Sequence, residues 1–178
     1  MLFLYIQTVV IMIRLQAYKF RLEPTFDQQT QLKQFAGCVR VVWNKGFSLQ
    51  QALYAEGQKK LGYAGLCKEL TAWRNDPETP WLAEASVDIQ QQILRDLETA
   101  YKRFFEKLAD FPRFKKKGDR DSFRFPQPKS IKLDQQQEKI LLPKLGWLKF
   151  RKSLKVLGLV KNVTVSRKAG HWYVSIQT

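Results

Sequence analysis

The chain has 178 residues, 44% of them hydrophobic, which suits one domain or one and a half with a real core and excludes wholesale disorder. Its 31 Lys and Arg against 16 Asp and Glu give a formal charge of +15, and the excess is uneven: residues 1–101 carry 11 basic and 10 acidic side chains, residues 102–178 carry 20 and 6. The basic half is also aromatic, with Phe111, Phe114, Phe123, Phe125, Trp147, Phe150, Trp172 and Tyr173 among the cations. That mixture can neutralise phosphates and stack bases, so it points to nucleic acid, although a basic sheet surface over an aromatic core has the same composition.

Residues 1–13 are mostly apolar but too short to span a bilayer, and they lack the basic leader and small-residue cleavage site of a secretory signal. Met12 offers a second start, so residues 1–12 are expected to be an extension and the domain to begin near residue 13. Residues 13–22 alternate as a half-buried strand does, with Tyr18, Phe20 and Leu22 on one side, and Glu23-Pro24 ends it. Thr25 and Gln28 form a capping box. A short helix to about Ala36, a turn at Gly37 and a second helix over 38–56 are predicted, with Val39, Val42, Trp43, Gly46, Phe47, Leu53 and Tyr54 as the apolar face and Gly57 as its stop. Such a pair fits a helix-turn-helix or two simply packed helices.

A third helix is predicted over 64–75, and Pro77 and Pro80 break the chain after it. Ser86 is placed to cap the longest stripe, 87–108, built on Ile89, Ile93, Leu97, Ala100, Tyr101, Phe104 and Leu108. At Asp110 the texture changes. Residues 111–118 (FPRFKKKG) make a basic connector, and beyond it 122–125, 130–134, 139–142, 147–151, 162–168 and 171–176 read as short strands, with Lys168-Ala169-Gly170 as a hairpin turn. One strand, a four-helix block and five or six strands make an α+β chain in which the first strand rejoins the later sheet and the helices are an insertion.

Chemistry-bearing groups are sparse. Cys38 and Cys67 are far apart in helical patterns and His171 is the only histidine, so no four-ligand zinc site can be assembled and two buried thiols are expected. Asp119 and Asp121 flank Arg120 in a loop, but no spacing brings them together with Asp134 as a two-metal nuclease would need. The connector is the stronger signal. Arg113, Lys115, Lys116 and Lys117 crowd four cations into five residues, which is costly unless they are solvated or neutralised by phosphates. Lys144, Lys149, Arg151 and Lys152 form a second cluster near Trp147, where one wet face of an antiparallel sheet would display alternate residues together.

Several ordered segments carry a resemblance: 14–22 followed by Pro24, Thr25 and Gln28; 37–44 (GCVRVVWN); 94–105 (LRDLETAYKRFF); 111–117 (FPRFKKK) with 122–125; 142–147 (LPKLGW); and 162–176 (NVTVSRKAGHWYVSI). Together they span about residues 13–178, and they resemble the N-terminal part of the TnpB (OrfB) proteins of bacterial insertion sequences, transposon-encoded proteins that work as RNA-guided DNA nucleases. The resemblance implies a β-barrel wedge domain formed by the first strand (13–23) and the later strands (111–178, with the connector), and an inserted helical recognition lobe over 24–110. It implies guide RNA and duplex DNA as partners, with Tyr63 and Gln91 near bases, Arg113, Lys115, Lys116 and Lys117 on the backbone, and Arg124, Lys144, Lys149 and Arg151 as further contacts. The family's chemistry lies in an RNase-H-like domain with two metal ions and a Cys-rich zinc element, and neither is matched here. The chain is therefore expected to bind without cutting and to hold no cofactor or metal, as a cytoplasmic, nucleoid-associated protein with no membrane partner. The alternatives are a subunit completed by a separate catalytic chain, or a non-functional remnant.

Overall fold

The computed structural model describes residues 15–118 and 120–178. The expected extension over 1–12, the start at Met12, the first residues of the strand predicted from 13, and Asp119 lie outside the described residues. Strand β1 (Ala17–Leu22) buries Tyr18, Phe20 and Leu22 and turns Ala17, Lys19 and Arg21 the other way, the period-2 pattern its sequence carries. The capping box follows: Gln28 N–H donates to Thr25 Oγ1 at 3.3 Å and Thr25 N–H to Gln28 Oε1 at 3.1 Å.

Helix α1 (Phe26–Ala55) then runs 30 residues without a break, so the turn predicted at Gly37 is absent and the expected first two helices are one. A helical glycine costs about 1 kcal/mol relative to alanine. Here Phe35, Ala36, Cys38 and Val39 are all buried around it, and packing on that scale outweighs the local penalty. The predicted apolar face also ends early, because Tyr54 is 85% exposed. Gly57, at φ +69°, takes the left-handed conformation just past the helix end.

Helices α2 (Tyr63–Asn75) and α3 (Val87–Phe105) complete a block of three α-helices, joined by a 3-10 turn at Pro80–Ala83. Ser86 holds the N-cap position of α3 but makes no side-chain capping bond. That helix stops short of 108, as Lys107 is left-handed at φ 58° and Leu108 is exposed. Gly46 lets α1 and α3 approach: a Cβ there would lie 3.1 Å from the Cδ2 atoms of Leu94 and Leu97.

The remaining strands are β2 (Ser122–Phe125), β3 (Lys132–Asp134), β4 (Lys139–Leu142), β5 (Gly146–Arg151), β6 (Asn162–Lys168) and β7 (His171–Gln177). They form a seven-stranded sheet in the order β2-β6-β7-β1-β5-β4-β3, every pair antiparallel. The first strand thus sits mid-sheet, with Phe20 opposite Val174 and Leu22 opposite Phe150. The helices occupy the chain between β1 and β2, as the strand–helices–strands order requires. Phe20 and Phe150 meet at 5.0 Å in the sheet core. Phe35 of α1 reaches Phe123 of β2 at 5.9 Å, and Phe123 reaches Trp172 of β7 at 6.4 Å, so one aromatic chain ties the helices to the sheet. Among the described residues no helix is long and apolar enough to cross a membrane.

Candidate nucleic-acid interface

The connector is anchored at alternating points. Phe114 packs edge-on against Phe47 of α1 at 4.7 Å, and Phe111 lies 6.0 Å from the same ring. Trp43 Nε1–H donates to the carbonyl oxygen of Arg113 at 2.8 Å. Asn44 grips the main chain of Lys115 twice, accepting its N–H at 2.8 Å and donating to its carbonyl oxygen at 3.1 Å. Lys115 folds back so that its ammonium stands 4.5 Å from the centre of the Trp43 ring. Arg113, Lys116 and Lys117 face solvent. Arg113 pairs with Asp110 at 3.7 Å, but both side chains are almost fully exposed, and such pairs contribute little.

Where the helices meet the sheet, Arg124 of β2 contacts Asp96 of α3 at 3.0 Å, and Gln92 Nε2–H donates to the same carboxylate at 2.8 Å. These residues, with Trp43, Lys115 and Thr164, line a cleft of about 450 Å³. Gln92 also lines a neighbouring cleft of about 220 Å³, whose walls include Tyr63, Gln91, Arg95 and Gln127. The two residues predicted near bases are therefore brought together. The Arg95 guanidinium lies 4.2 Å from the Tyr63 ring centre, and Tyr63 N–H donates to Glu98 Oε1 at 3.1 Å. Desolvation pushes the Tyr63 phenol up from its ordinary value, while its hydrogen bond to Arg95 works in the opposite direction. Sequence reasoning missed Arg95. The signal was available, since it lies one turn beyond Gln91 and off the apolar stripe.

The second basic cluster does not join this junction. Lys144 Nζ donates to the carbonyl oxygen of Ala83 at 2.7 Å and so ties the β4–β5 turn to the 3-10 turn. Lys149 and Arg151 share Glu23, at 3.9 Å for Lys149 and closer for Arg151. The hydrogen bond from Arg151 holds the Glu23 carboxyl below its ordinary value. Register adds cations that sequence reasoning missed: Arg21 lies opposite both Arg151 and Tyr173. Lys19 Nζ stands 4.9 Å from the centre of the Tyr173 ring, and Arg21 Nη2 donates to His171 Nδ1 at 3.0 Å. The outward face of β7, β1 and β5 is therefore a basic and aromatic strip.

The carboxylates are engaged elsewhere. Asp121 pairs with Arg40 of α1 at 3.4 Å, with both side chains largely buried, and Asp134 accepts the N–H groups of Gln136 and Gln137 in the β3–β4 turn. Cys38 is buried and Cys67 half-buried, which corrects the expectation of two buried thiols.

A helix-turn-helix domain family of the OrfB type (HTH_OrfB_IS605) matches residues 12–59. The chain is 48% identical over 165 residues to InsQ of Escherichia coli (strain K12), covering 93% of this chain and 40% of that protein. It is 31% identical over 163 residues to a protein of Streptomyces pristinaespiralis, covering 90% of this chain and 40% of that one. Both relatives are named as RNA-guided DNA endonucleases. Residues 12–59 thus match a helix-turn-helix domain of the OrfB type, and nearly the whole chain is similar to these two relatives. It spans 40% of the length of each of these relatives. The stretch matched by the domain family takes in β1 and the whole of α1. It includes Trp43 and Asn44, so the residues that hold the basic connector lie within the family's helix-turn-helix domain.

Proposed function

We propose that this chain is the nucleic-acid-binding part of a transposon-encoded RNA-guided nuclease, gripping guide RNA and target DNA and not cleaving by itself. In this reading the sheet closes as a β-barrel wedge and α1, α2 and α3 form the recognition lobe. Tyr63 and Gln91, with Arg95, face bases at the junction of helices and sheet. Arg113, Lys116 and Lys117 take backbone phosphates along the connector, and Lys115 and Arg124 contribute at the cleft between them. Lys149 and Arg151, with Lys19 and Arg21, offer a second phosphate-binding surface.

The observation that carries the reading is the pair of adjoining clefts at the junction, where Tyr63, Gln91, Arg95, Lys115 and Arg124 converge beside an outward row of cations. Planar side chains, amides and cations in one groove are the groups that read base edges and hold phosphates. Cleavage is assigned to the three-fifths of the relatives that lies outside the match. Among the described residues no cluster of three His, Cys, Asp or Glu could hold a metal ion.

The test is direct titration of the purified chain with structured RNA and duplex DNA at several salt concentrations, followed by incubation of the complex with Mg²⁺ or Mn²⁺. Tight, salt-sensitive binding without cleavage is expected. Absence of binding at low salt would sink the reading, and metal-dependent cutting lost on Asp121→Asn or Asp134→Asn would sink its non-catalytic half.

A further inference from the structure

A third cleft, of about 460 Å³, lies at the end of the helical block and shares no lining residue with the two junction clefts. Its walls come from α1, the loop before α2, the end of α3 and the start of the connector, and its principal groups are Gln51, Tyr54, Lys60, Tyr101, Phe105 and Phe111. Tyr101 is buried, whereas Tyr54 is 85%, Phe105 64% and Phe111 42% exposed. Tyr54 and Phe105, left this open beside one cleft, contribute little to the core, while Phe111 is half-open and packed on one side. Tyr101 and Phe111 meet edge-on at 5.7 Å, and Phe104 and Phe111 at 5.0 Å, so the slot has fixed flat walls. The Lys60 ammonium stands between the rings of Phe105 and Tyr101, 5.7 Å and 5.9 Å from their centres. Gln50 is already spent on both backbone groups of Leu61, which leaves exposed Gln51, the Tyr54 hydroxyl and Lys60 as the polar groups presented to a ligand.

Flat aromatic walls with one amide, one hydroxyl and one cation fit a planar heterocycle attached to an anion. Charge decides the class of occupant. A second copy of this chain would bring another formal +15 to the same face. A polyanion is attracted instead, and Phe111 opens the connector whose exposed Arg113, Lys116 and Lys117 follow within six residues. A base inside a duplex is already stacked on both faces and cannot enter. We infer that this cleft binds one unstacked nucleobase of a single-stranded stretch, held against Tyr54, Phe105 and Phe111, with Lys60 and the connector on the neighbouring phosphates. The inference rests on the reading above that the chain binds nucleic acid, and it adds a site for single strands separate from the junction.

The experiment compares the full chain with Tyr54→Ala/Phe105→Ala, two exposed positions whose loss leaves the core intact, and with Lys116→Ala/Lys117→Ala. The probes are a single-stranded RNA carrying 2-aminopurine and a blunt DNA duplex. The aromatic variant is expected to bind the single strand about 5- to 100-fold more weakly, to lose 2-aminopurine quenching and to bind the duplex as before. The lysine variant is expected to weaken both. Unchanged single-strand binding by the aromatic variant, with both probes weakened in the lysine variant, overturns the base site while leaving nucleic-acid binding intact. A wild-type chain that binds neither probe at low salt removes the underlying reading. If sedimentation shows a dimer of the wild type that the aromatic variant abolishes, the cleft is a self-association face and the inference falls.

Discussion

The indole N–H of Trp43 donates to the main-chain carbonyl oxygen of Arg113 at 2.8 Å, so α1 holds the basic connector by its backbone while the Arg113 guanidinium points into solvent. Asn44, the next residue, does the same for Lys115. Fixing the main chain and leaving cations outward lowers the ordering cost a flexible basic loop would meet on binding a phosphate backbone.

Asn44→Ala removes both bonds to Lys115, each worth about 1 kcal/mol. The connector should loosen while every charge remains. Trypsin should cut after Arg113, Lys116 or Lys117 faster than in the wild type, and RNA affinity should fall with no change in its salt slope. Cleavage at the wild-type rate would show that Asn44 does not hold this segment.

Replacing Arg113, Lys116 and Lys117 with Ala does the opposite, keeping the anchor and deleting charge. The slope of log K against log salt on duplex DNA should flatten by about 0.9 for each phosphate that is no longer neutralised. An unchanged slope identifies the row as a solvated loop. Lys115 is left in place because it packs on Trp43.

The sequence made local structure legible and long-range partnership much less so. The capping box, the strand alternation at Tyr18, Phe20 and Leu22, and the hairpin at Ala169 (φ 49°) and Gly170 (φ 79°) are short-range rules, and each appears where the residues place it. Gly37 misled because its local signal competes with four buried neighbours. Tyr63 and Gln91 were legible only through resemblance, and their shared cleft with Arg95 needs the packing of α2 against α3. The outward strip was hidden for the same reason: Arg21 and Arg151 become neighbours only through the pairing of β1 with β5. Lys144 was visible as a cation, but its engagement with Ala83 was not.

Glu23 directly follows β1 and pairs with two cations of that strip, and its carboxyl is held below its ordinary value of 4.5 chiefly by the hydrogen bond from Arg151. A depressed carboxyl contributes stability that is present above its unfolded value and lost as pH falls through the folded one. Glu23→Gln should therefore lower the melting temperature at neutral pH, and the difference from wild type should shrink below about pH 4.5. The same variant releases Lys149 and Arg151 and adds one unit of charge, so RNA binding should tighten. A melting difference constant from pH 7 to pH 3 would contradict the pairing.

Cys38 and Cys67 should differ as nucleophiles. Burial, the largest cause, pushes the Cys38 thiol up to about 11, and its sulfur lies 3.7 Å from the Trp81 carbonyl oxygen. The thiolate is the reactive form, so Cys38 should resist alkylation at pH 8. Iodoacetamide on the native chain, read by peptide mass spectrometry, should modify half-buried Cys67 first. Equal rates under native conditions would mean that the helices around Cys38 open readily.

Gly46 sets the spacing of α1 and α3. A Cβ at this position would sit 3.1 Å from Leu94 Cδ2 and from Leu97 Cδ2, and both leucines are fully buried. Gly46→Ala removes a helical-glycine penalty of about 1 kcal/mol but adds that crowding, so the two effects offset and the melting temperature should change little. Gly46→Val adds two further methyl groups to the same gap and should destabilise by about 1–3 kcal/mol. At this chain length that is a fall of roughly 2–12 °C, measurable by circular dichroism. Binding measured well below the transition should keep the wild-type salt slope, because Gly46 lies on the buried side of α1 and touches none of the connector's cations. A valine variant as stable as wild type would show that α1 and α3 can separate without cost, and would remove the close approach as a determinant of the fold.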